Sequence, residues 1–505
     1  MKGLLSPCAA VFVAVAPALA DPVFTPAQTA LPAAHIYAGG WEHFVGGGVA
    51  IFDCNGDARP DFYAAGGENE AALFVQNAQG PFGFALGQGI APLRGVTGAY
   101  PIDIDSDGHV DLAVLRVGEN RLLRGHGDCR FTDATEDWGF AVDDRWSTAF
   151  SATWEPGMRW PTLAVGNYVD RADPEGPFEA CDSNQLYRPS GAGFAPPLEL
   201  TPAFCALSML FSDWTRSGAA ELRISNDRHY YVRGGYEQMW RMDPLHERGQ
   251  ADGWSRVSLW GMGIASADLA RDGYPDVMLT SMGDQVLHLN EAGDIVPAGY
   301  GSGTTAHRPH TGDDGRPSTG WHAEFADVDN DGLADLFIAK GNVDQMPGSA
   351  MKDPNSLLMQ QTDGTFKEVA AAAGVASFAR ARGAGLADFN QDGRLDLVVV
   401  NRRAPLEIWL NTSDQTGHWA SVDLKSEGAN RFAIGGWLEI ARDGGASEWR
   451  ERTIGGGHGS GALLPFHIGL GTANEARVRA WWPDGTASPW PIVRHGTRVT
   501  INRPR

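Results

Sequence analysis

An acidic loop that recurs along the chain, each time directly before an apolar β-type stretch, constrains the fold more than any other feature. One copy, "DVDNDGLADLFI", has acidic residues at loop positions 1, 3, 5 and 9, which are Asp327, Asp329, Asp331 and Asp335. Ca²⁺ collects oxygen ligands, and a backbone that curls around it turns every second side chain inward. With Gly332 at position 6 for the tight turn, the spacing predicts a Ca²⁺ loop that leads into a strand.

Two other interpretations of this loop are an EF-hand and a solvated acidic turn. An EF-hand needs a Glu at position 12 and a helix on either side, whereas Ile338 stands at position 12 here, inside a β-type run. A solvated turn has no reason to recur, yet further copies keep the 1, 3, 5, 9 spacing. Their predicted ligands are Asp53, Asn55, Asp57 and Asp61; Asp103, Asp105, Asp107 and Asp111; and Asp388, Asn390, Asp392 and Asp396.

Three weaker copies fill the gaps between these four. One has Ala270 at position 3 and keeps three carboxylates, Asp268, Asp272 and Asp276. The next is a poorer oxygen set made of Asp213, Thr215, Ser217 and Glu221. The last has lost its ligands and carries Trp154, Pro156, Met158 and Thr162 at the ligand positions. We expect metal to fill the four strong loops first, then the 268 loop, then the 213 loop, with Trp154 and Met158 packing where the ion would sit in the 154 loop.

The spacing of the copies predicts the architecture. Position 1 falls at 53, 103, 154, 213, 268, 327 and 388, so the repeat is 50 to 61 residues long. A unit of that length holds about four short strands, and a closed ring lets each such blade cover its neighbour. The prediction is an all-β protein with a seven-bladed β-propeller over residues 21–415. An open β-solenoid is the alternative, but its repeats are shorter.

The first 20 residues have the pattern of a cleaved secretory signal, with Lys2, a short apolar run and Ala18-Leu19-Ala20 before Asp21. We therefore expect an exported protein, periplasmic or extracellular, and the excess of 35 Arg over 5 Lys favours a bacterial source. No later stretch is long and apolar enough to span a bilayer. The net charge of −22 argues against nucleic acid as a partner, because such binding needs clustered Lys and Arg.

The remaining cysteines are Cys54, Cys129, Cys181 and Cys205, which allow three pairings. An exported protein favours disulfides. Because Cys181 and Cys205 bracket what reads as an insert between two repeat units, we predict that they pair, and that Cys54 pairs with Cys129. Zinc is the alternative, but the sequence contains no Cys-x-x-Cys pair.

The acidic loop is absent after about residue 417, and a different pattern takes its place. Strand-like segments such as "HWASVDLKS", "GGWLEIARD" and "TRVTINRP" alternate with glycine-rich turns. This predicts a separate small β domain over residues 416–505. The run "GGGHGSG" at 455–461 lacks the ending of a phosphate loop, so we interpret it as a turn that holds His458.

The recurring loops resemble FG-GAP and VCBS repeats, and "NRFAIGG", "HIGLG" and "WWPDG" resemble an ASPIC/UnbV domain. Their succession is similar to that of the cartilage acidic protein 1 family. The resemblance implies a calcium-bound seven-bladed propeller followed by the terminal domain, in a secreted protein.

A binding function is favoured over an enzymatic one. No catalytic motif such as Gly-x-Ser-x-Gly or His-Glu-x-x-His is present, and we expect His322, His458 and His467 to be structural. Loops on a rigid propeller suit recognition, so we expect a monomer that binds a protein or a glycan. Candidate exposed aromatic residues for that ligand are Tyr230, Tyr231, Trp240, Trp481 and Trp482. The alternative is an enzyme, for example one with a glycan-directed or biosynthetic activity, that uses the propeller channel.

Overall fold

The computed structural model describes residues 21–227, 234–305, 309–311, 315–343, 348–442 and 445–504. Over these residues the regular structure is almost entirely β, so the predicted all-β class is confirmed. Residues 1–20, the predicted signal, and the candidate aromatics Tyr230 and Tyr231 lie outside the described residues.

Antiparallel β-meanders make up the larger part of the molecule. In chain order their strands are β1 (Phe24–Pro26), β2 (Val49–Phe52), β3 (Asp61–Ala64), β4 (Ala72–Gln76), β5 (Phe84–Leu86), β6 (Val96–Ile102), β7 (Asp111–Glu119), β8 (Arg121–Gly125), β9 (Phe131–Asp133), β10 (Asp144–Thr153), β11 (Thr162–Asn167), β12 (Asn184–Tyr187), β13 (Leu198–Leu200), β14 (Ala206–Ser212), β15 (Glu221–Asn226), β16 (Gln238–Met242), β17 (Leu245–Glu247), β18 (Gly261–Ala267), β19 (Asp276–Ser281), β20 (Val286–Glu291), β21 (Asp294–Pro297), β22 (Gly320–Ala326), β23 (Asp335–Lys340), β24 (Ser356–Gln360), β25 (Phe366–Glu368), β26 (Arg380–Ala387), β27 (Asp396–Arg402) and β28 (Glu407–Asn411). In the part of the chain that the structure describes, the helical segments are one short α-helix, α1 (Ala370–Ala373), and the 3₁₀ turns Gln28–Ala30, Trp41–His43, Gln250–Asp252 and Tyr300–Ser302.

These sheets form a propeller-type ring. Strands β2–β5, β6–β9, β10–β13, β14–β17, β18–β21 and β22–β25 are successive antiparallel meanders, and β26–β28 is completed by β1. The second and third meanders are joined where β10 pairs with the end of β7. The innermost strands β2, β6, β10, β14, β18, β22 and β26 contact one another in turn around a closed circle. Because β1 pairs with β28, with Phe24 opposite Asn411, the beginning and the end of the ring share one sheet and close it.

Aromatic side chains fill the space between neighbouring sheets. Phe389, from the last sheet, lies 6.0 Å from Phe62 and 5.7 Å from Phe84 of the first, measured between ring centroids. Phe62 is fully buried, and burying a side chain of this size contributes about 2 kcal/mol. Each sheet thus covers an apolar face that a single blade would leave exposed.

A second β unit follows the ring. Its strands are β29 (His418–Lys425), β30 (Trp437–Ala441), β31 (Glu448–Glu451), β32 (Gly461–Leu463), β33 (Phe466–Gly471), β34 (Glu475–Trp481), β35 (Ile492–Arg494) and β36 (Thr497–Asn502). Sheet β33-β29-β36 packs on sheet β31-β30-β34-β35 around a core that contains Val422, Leu438, Ile468 and Val478. The remaining strand, β32, pairs in parallel with β2 of the ring. We call residues 416–504 the terminal unit.

Both disulfides join neighbouring sheets, and the predicted pairing is confirmed. Cys54 is bonded to Cys129, and Cys181 to Cys205. The sequence interpretation of residues 181–205 as an insert is wrong, because this segment contains β12 and β13, the two outer strands of their sheet. The second bond therefore joins that sheet to β14 of the next one.

Candidate metal centre

The acidic loops lie at one end of the ring, where each innermost strand ends. Asp327, at position 1, directly follows β22, and Asp335, at position 9, is the first residue of β23. Between them the backbone reverses through two left-handed residues, Asn330 at φ 62° and Gly332 at φ 94°. Position 4 is left-handed in the other loops as well, at Gly56, Ser106, Gly157, Arg216, Arg271 and Gln391.

The carboxylate at position 9 is fixed by two backbone N–H groups. Asp335 accepts a hydrogen bond from Val328 N through Oδ2 at 3.0 Å and from Gln360 N through Oδ1 at 2.9 Å. The same pair of bonds recurs at Asp61, Asp111, Asp276 and Asp396. The position-9 residue therefore ties the loop to its sheet, and in Asp335 each oxygen keeps a second lone pair for a cation.

The 327 loop has the most buried acidic cluster. Carboxylate oxygens of Asp327, Asp329 and Asp335 lie within 4.8 Å of one another. Asp327 Oδ2 accepts a hydrogen bond from Gly332 N at 2.9 Å, whereas Oδ1 is buried and has no hydrogen-bond partner among the described residues. Burial, and then the neighbouring carboxylates, raise the pKa of Asp327 well above its ordinary value and that of Asp329 to about 7. Buried acids with a free oxygen fit a hard cation.

The 103 and 388 loops share this feature. Asp103 Oδ1 and Asp388 Oδ1 are also buried without a hydrogen-bond partner among the described residues. Burial is the main cause that raises the pKa of Asp103 to about 7 and that of Asp388 to about 6. Each loop has an arginine nearby: Arg124 lies 2.7 Å from Asp105, and Arg498 lies 3.2 Å from Asp388.

In the 53 and 268 loops the position-1 carboxylate is already occupied by protein donors. Asp53 accepts hydrogen bonds from Gly56 N at 2.7 Å and Ala58 N at 2.8 Å. Asp268 accepts one from its own loop and a second, at 3.0 Å, from Trp449 N of the terminal unit. The sequence ranks the 53 loop with the strongest, but its geometry is less open to an ion than that of the 103, 327 and 388 loops.

In the 213 and 154 loops, a carboxylate is paired with an arginine from the outer part of the same sheet. Glu221, the predicted position-9 ligand of the 213 loop, accepts a hydrogen bond from Arg248 at 2.9 Å. In the 154 loop, Glu155 accepts one from Arg188 at 2.9 Å. Met158 does not pack where the ion would sit: it is 45% exposed, because the loop turns its side chain to solvent.

Two predicted ligands of the 213 loop, and two residues at the ligand positions of the 154 loop, have other partners. Thr215 and Ser217 hydrogen-bond to each other at 3.1 Å, and Ser217 also donates through its backbone N to Asp213 at 2.8 Å. In the 154 loop, Thr162 donates to Glu155 at 2.7 Å, and Trp154 donates through its ring nitrogen to Arg159 O at 3.2 Å.

The terminal unit lies on the loop face of the ring and contacts the loops directly. Asn430 N donates to Ser106 Oγ at 3.2 Å, and Arg431 Nε donates to Ser106 O at 2.7 Å. At the 213 loop, Arg216 stacks on Trp437 and Trp449, with its guanidinium carbon 3.9 and 4.4 Å from their ring centres. A cavity of about 730 Å³ remains between the two surfaces, lined by groups that include Asp327, Asp388, Trp419, Arg450, Arg452 and Arg498.

Residues 454–463 of the terminal unit enter the centre of the ring; we call them the plug. Ile454, Gly455 and Gly457 form bridges with β10, β14 and β18, and residues 461–463 pair with β2. His458 accepts a hydrogen bond from Gly46 N through Nε2 at 2.9 Å, and Ser460 Oγ accepts one from Val49 N at 3.0 Å. Burial lowers the pKa of His458 to about 3, so the imidazole is neutral.

The sequence interpretation missed the plug and the left-handed position-4 residues. It described "GGGHGSG" as a turn, whereas these glycines let the backbone approach the innermost strands: a Cβ on Gly48 would lie 1.7 Å from Gly459 O. The available signal in the sequence was two glycine-rich segments, residues 46–48 and 455–461, which contact each other in the fold. Of the proposed exposed aromatics, Trp240 and Trp482 are buried, each packed in its own β core.

Known protein families match both parts of the chain. The model of the FG-GAP-like repeat matches residues 53–114 and 327–399, and the model described as ASPIC and UnbV matches residues 426–505. The chain is 44% identical over 61 residues to Cartilage acidic protein 1 of Homo sapiens and 41% identical over 58 residues to that of Xenopus tropicalis. The resemblance predicted from the sequence is confirmed by these matches.

The matched stretches are short: they cover 12% and 11% of this chain, and 9% of either relative. Among solved structures, the BP39L lectin from Burkholderia pseudomallei superposes with a TM-score of 0.46 and 12% identity, over 74% of this chain and 98% of the lectin. Within the described residues, no helix is long and apolar enough to cross a membrane. The two disulfides fit an extracellular protein.

Proposed function

We propose that this chain, which joins FG-GAP-like repeats to a C-terminal ASPIC and UnbV domain, is an exported Ca²⁺-binding protein that recognises a protein or a glycan. Residues 21–415 form a seven-bladed propeller in this proposal, and residues 416–505 form the domain that covers its loops. The observation that carries it is the buried, unpartnered position-1 oxygen in the 103, 327 and 388 loops.

Bound Ca²⁺ would supply the positive charge that these carboxylates lack. In the 327 loop, the side chains at positions 1, 3, 5 and 9 and the Leu333 carbonyl would hold it. The chain's own part is to fix the ligands beforehand: Asp335 is held by two N–H groups, and Asp331 accepts a hydrogen bond from Leu333 N at 2.7 Å. Such preordering reduces the entropy lost when the ion binds.

A binding role is favoured over catalysis by the plug. The enzymatic alternative requires side chains that converge on an open channel, but residues 454–463 pair with the channel wall. His458, the most plausible acid or base there, is fully buried and accepts a hydrogen bond from Gly46 N. Recognition then falls to the outer surfaces.

The end of the ring opposite the loops offers an aromatic contact point. Trp41 is 49% exposed, and its ring stacks on Phe44 at 4.6 Å and meets Trp146 edge-on at 5.9 Å. Its inner face is thus fixed while its outer face is free to stack on a sugar or on an apolar side chain.

Calcium analysis tests the metal part of the proposal, and a binding screen tests the ligand part. Elemental analysis of the mature protein should find Ca²⁺, retained through gel filtration and removed by EDTA. On a glycan array and a secreted-protein array, Trp41→Ala should lose the signal of the wild type, whereas Phe378→Ala, a rim residue of similar exposure, should keep it. A protein without calcium contradicts the metal part, and equal signals from both variants contradict the contact point.

A further inference from the structure

Asn330, at position 4 of the 327 loop, makes three hydrogen bonds to two other parts of the molecule, the 388 loop and the terminal unit. Its Nδ2 donates to Gly393 O of the neighbouring 388 loop at 2.9 Å, and its Oδ1 lies 2.6 Å from His467 Nε2 of the terminal unit. Its carbonyl accepts a hydrogen bond from Gly471 N at 2.8 Å. The side chain is fully buried, and its sequence neighbours are two predicted Ca²⁺ ligands, Asp329 and Asp331.

The direction of the hydrogen bond to His467 follows from the other partners. Because Asn330 Nδ2 is the donor to Gly393 O, its Oδ1 must be the acceptor, so His467 Nε2 carries the proton. Burial lowers the pKa of His467 to about 3, which keeps the imidazole neutral. The bond requires Asn330 to point outward from the loop, and the left-handed turn between Asp329 and Asp331 gives it that direction.

Other contacts join the same loop to the terminal unit. Gly417 N donates to Asp329 O at 2.7 Å, so a predicted ligand residue also holds the first segment of that unit. A Cβ on Gly469 would lie 1.8 Å from Asp327 Oδ2, which shows how closely β33 passes over the position-1 carboxylate. The conformation that surrounds an ion and the conformation that receives the terminal unit are therefore the same.

We propose that Ca²⁺ in the 327 loop controls the seating of the terminal unit, with Asn330 as the positioning residue, so that removing the ion withdraws the plug from the ring. This rests on the proposed Ca²⁺ binding. Without the ion, the buried like charges of Asp327, Asp329 and Asp335 repel one another and the loop opens. The Asn330 side chain then no longer points towards His467, and the hydrogen bond between them is lost.

Linkage makes the coupling reciprocal. If the ion favours the seated terminal unit, seating must raise the affinity of the loop for the ion by the same factor. Release of the plug would expose the channel wall, including His322, whose Nδ1 accepts a hydrogen bond from His458 N at 3.1 Å in the seated state. The device thus hides or exposes the channel according to calcium concentration.

Hydrogen exchange in the full-length mature protein measures seating directly. In the plug, Gly456 N donates to Met209 O and Gly457 N donates to Ile264 O, both at 2.7 Å, so these amides are protected only while the plug is in the ring. Exchange in residues 454–463 should be faster in EDTA than in Ca²⁺ by about tenfold or more. A peptide covering β11, in the sheet whose loop has lost its ligands, should stay protected and so exclude global unfolding.

A matched pair of variants tests the role of Asn330. Asn330→Gly removes the side chain but keeps the left-handed turn, and Gln391→Gly does the same in the next loop, where the side chain bonds only to Ala58 O of another loop among the described contacts. In Ca²⁺, Asn330→Gly should show fast exchange in the plug, and Gln391→Gly should resemble the wild type. Calcium stoichiometry should be unchanged in both, since every ligand remains.

Each outcome decides between the proposals. Bound calcium with plug exchange that is the same in EDTA overturns the coupling and leaves the Ca²⁺-binding function intact. A protein that binds no calcium overturns both. Equal plug exchange in the two variants overturns the assignment of Asn330.

Discussion

The 327 and 154 loops occupy equivalent places in two sheets and form the same turn, but they differ in how their acidic side chains are neutralised. Both connect an innermost strand to the next strand, and both have a left-handed residue at position 4, Asn330 and Gly157. The 327 loop buries a cluster of carboxylates with one oxygen unpartnered, whereas the 154 loop contains Glu155 paired with Arg188.

The comparison of the two loops indicates that the turn itself does not need a metal. Where the loop has only one or two acids, an arginine from the same sheet can neutralise one of them, as Arg188 does for Glu155 and Arg248 does for Glu221. Where four acids converge, nearby arginines are too few, and the pKa of Asp327 stays raised although Arg442 and Arg450 lower it. In the function proposed here, the acid-rich loops would obtain from Ca²⁺ the positive charge that the 154 loop obtains from the chain.

Chelation should therefore have the largest effect on stability. A ligand that binds only the native state stabilises it by about 4 kcal/mol at a thousandfold excess over its dissociation constant, and several loops contribute. Calorimetry of the mature protein should show a lower melting temperature in EDTA that added Ca²⁺ restores and Mg²⁺ restores less. An identical melting temperature in EDTA and in Ca²⁺ would contradict the proposal that the 327 loop, unlike the 154 loop, needs a cation.

Removal of the Asp327 charge should lower the stability of the protein when Ca²⁺ is present and raise it when Ca²⁺ is absent. In Ca²⁺, Asp327→Asn should lower the free energy of unfolding by up to about 4 kcal/mol through loss of one site. In EDTA the same variant should be more stable than the wild type, because a buried charge repelled by its neighbours is gone. Denaturant titration in both buffers measures this, and Glu155→Gln in the 154 loop is the control whose effect should not depend on calcium.

Loss of the Cys181–Cys205 disulfide should destabilise the sheet that carries the 154 loop. This bond fixes the sheet of the 154 loop to the next sheet across a sequence separation of 24 residues, worth about 3 kcal/mol in the chain-entropy model. Cys181→Ser/Cys205→Ser should speed hydrogen exchange in β11 and β12, in calcium as well as in EDTA. Calcium that fully rescues this variant would show that the two sheets are not stabilised separately.

Removal of Arg188, the arginine that neutralises the 154 loop, should have the smallest effect on stability. Arg188→Met leaves Glu155 without its guanidinium partner and should cost about 1 kcal/mol, because the pair is partly exposed. The double variant Glu155→Gln/Arg188→Met should recover part of that loss in a double-mutant cycle. Strict additivity of the two single changes would mean that the pair does not interact.

The sequence predicted the fold well because its signal is periodic. The loop spacing and the apolar run after each loop, such as "LFIA" after Asp335, locate the second strand of every sheet where the structure has it. The disulfide pairing followed from position along the chain. The supposed insert failed because residues 181–205 have weak strand patterns, and β12 and β13 are recognisable only from their pairing with β11.

The site was less predictable, because local spacing says nothing about what covers a loop. The ligand positions could be read directly, but the free oxygen of Asp388 and the occupied oxygens of Asp53 depend on turn geometry. The bond between Asn330 and His467 joins residues 137 positions apart, and only the folded chain brings them together. The plug was hidden for the same reason.

We propose that unpaired buried carboxylates, and not the turn itself, determine where calcium binds. A crystal structure of the mature protein grown in Ca²⁺ tests it most directly. We expect ions in the 103, 327 and 388 loops, each ligated by oxygens at about 2.3–2.6 Å, and none in the 154 loop. An ion in the 154 loop, or no ion in the 327 loop while the 213 loop is filled, would contradict it.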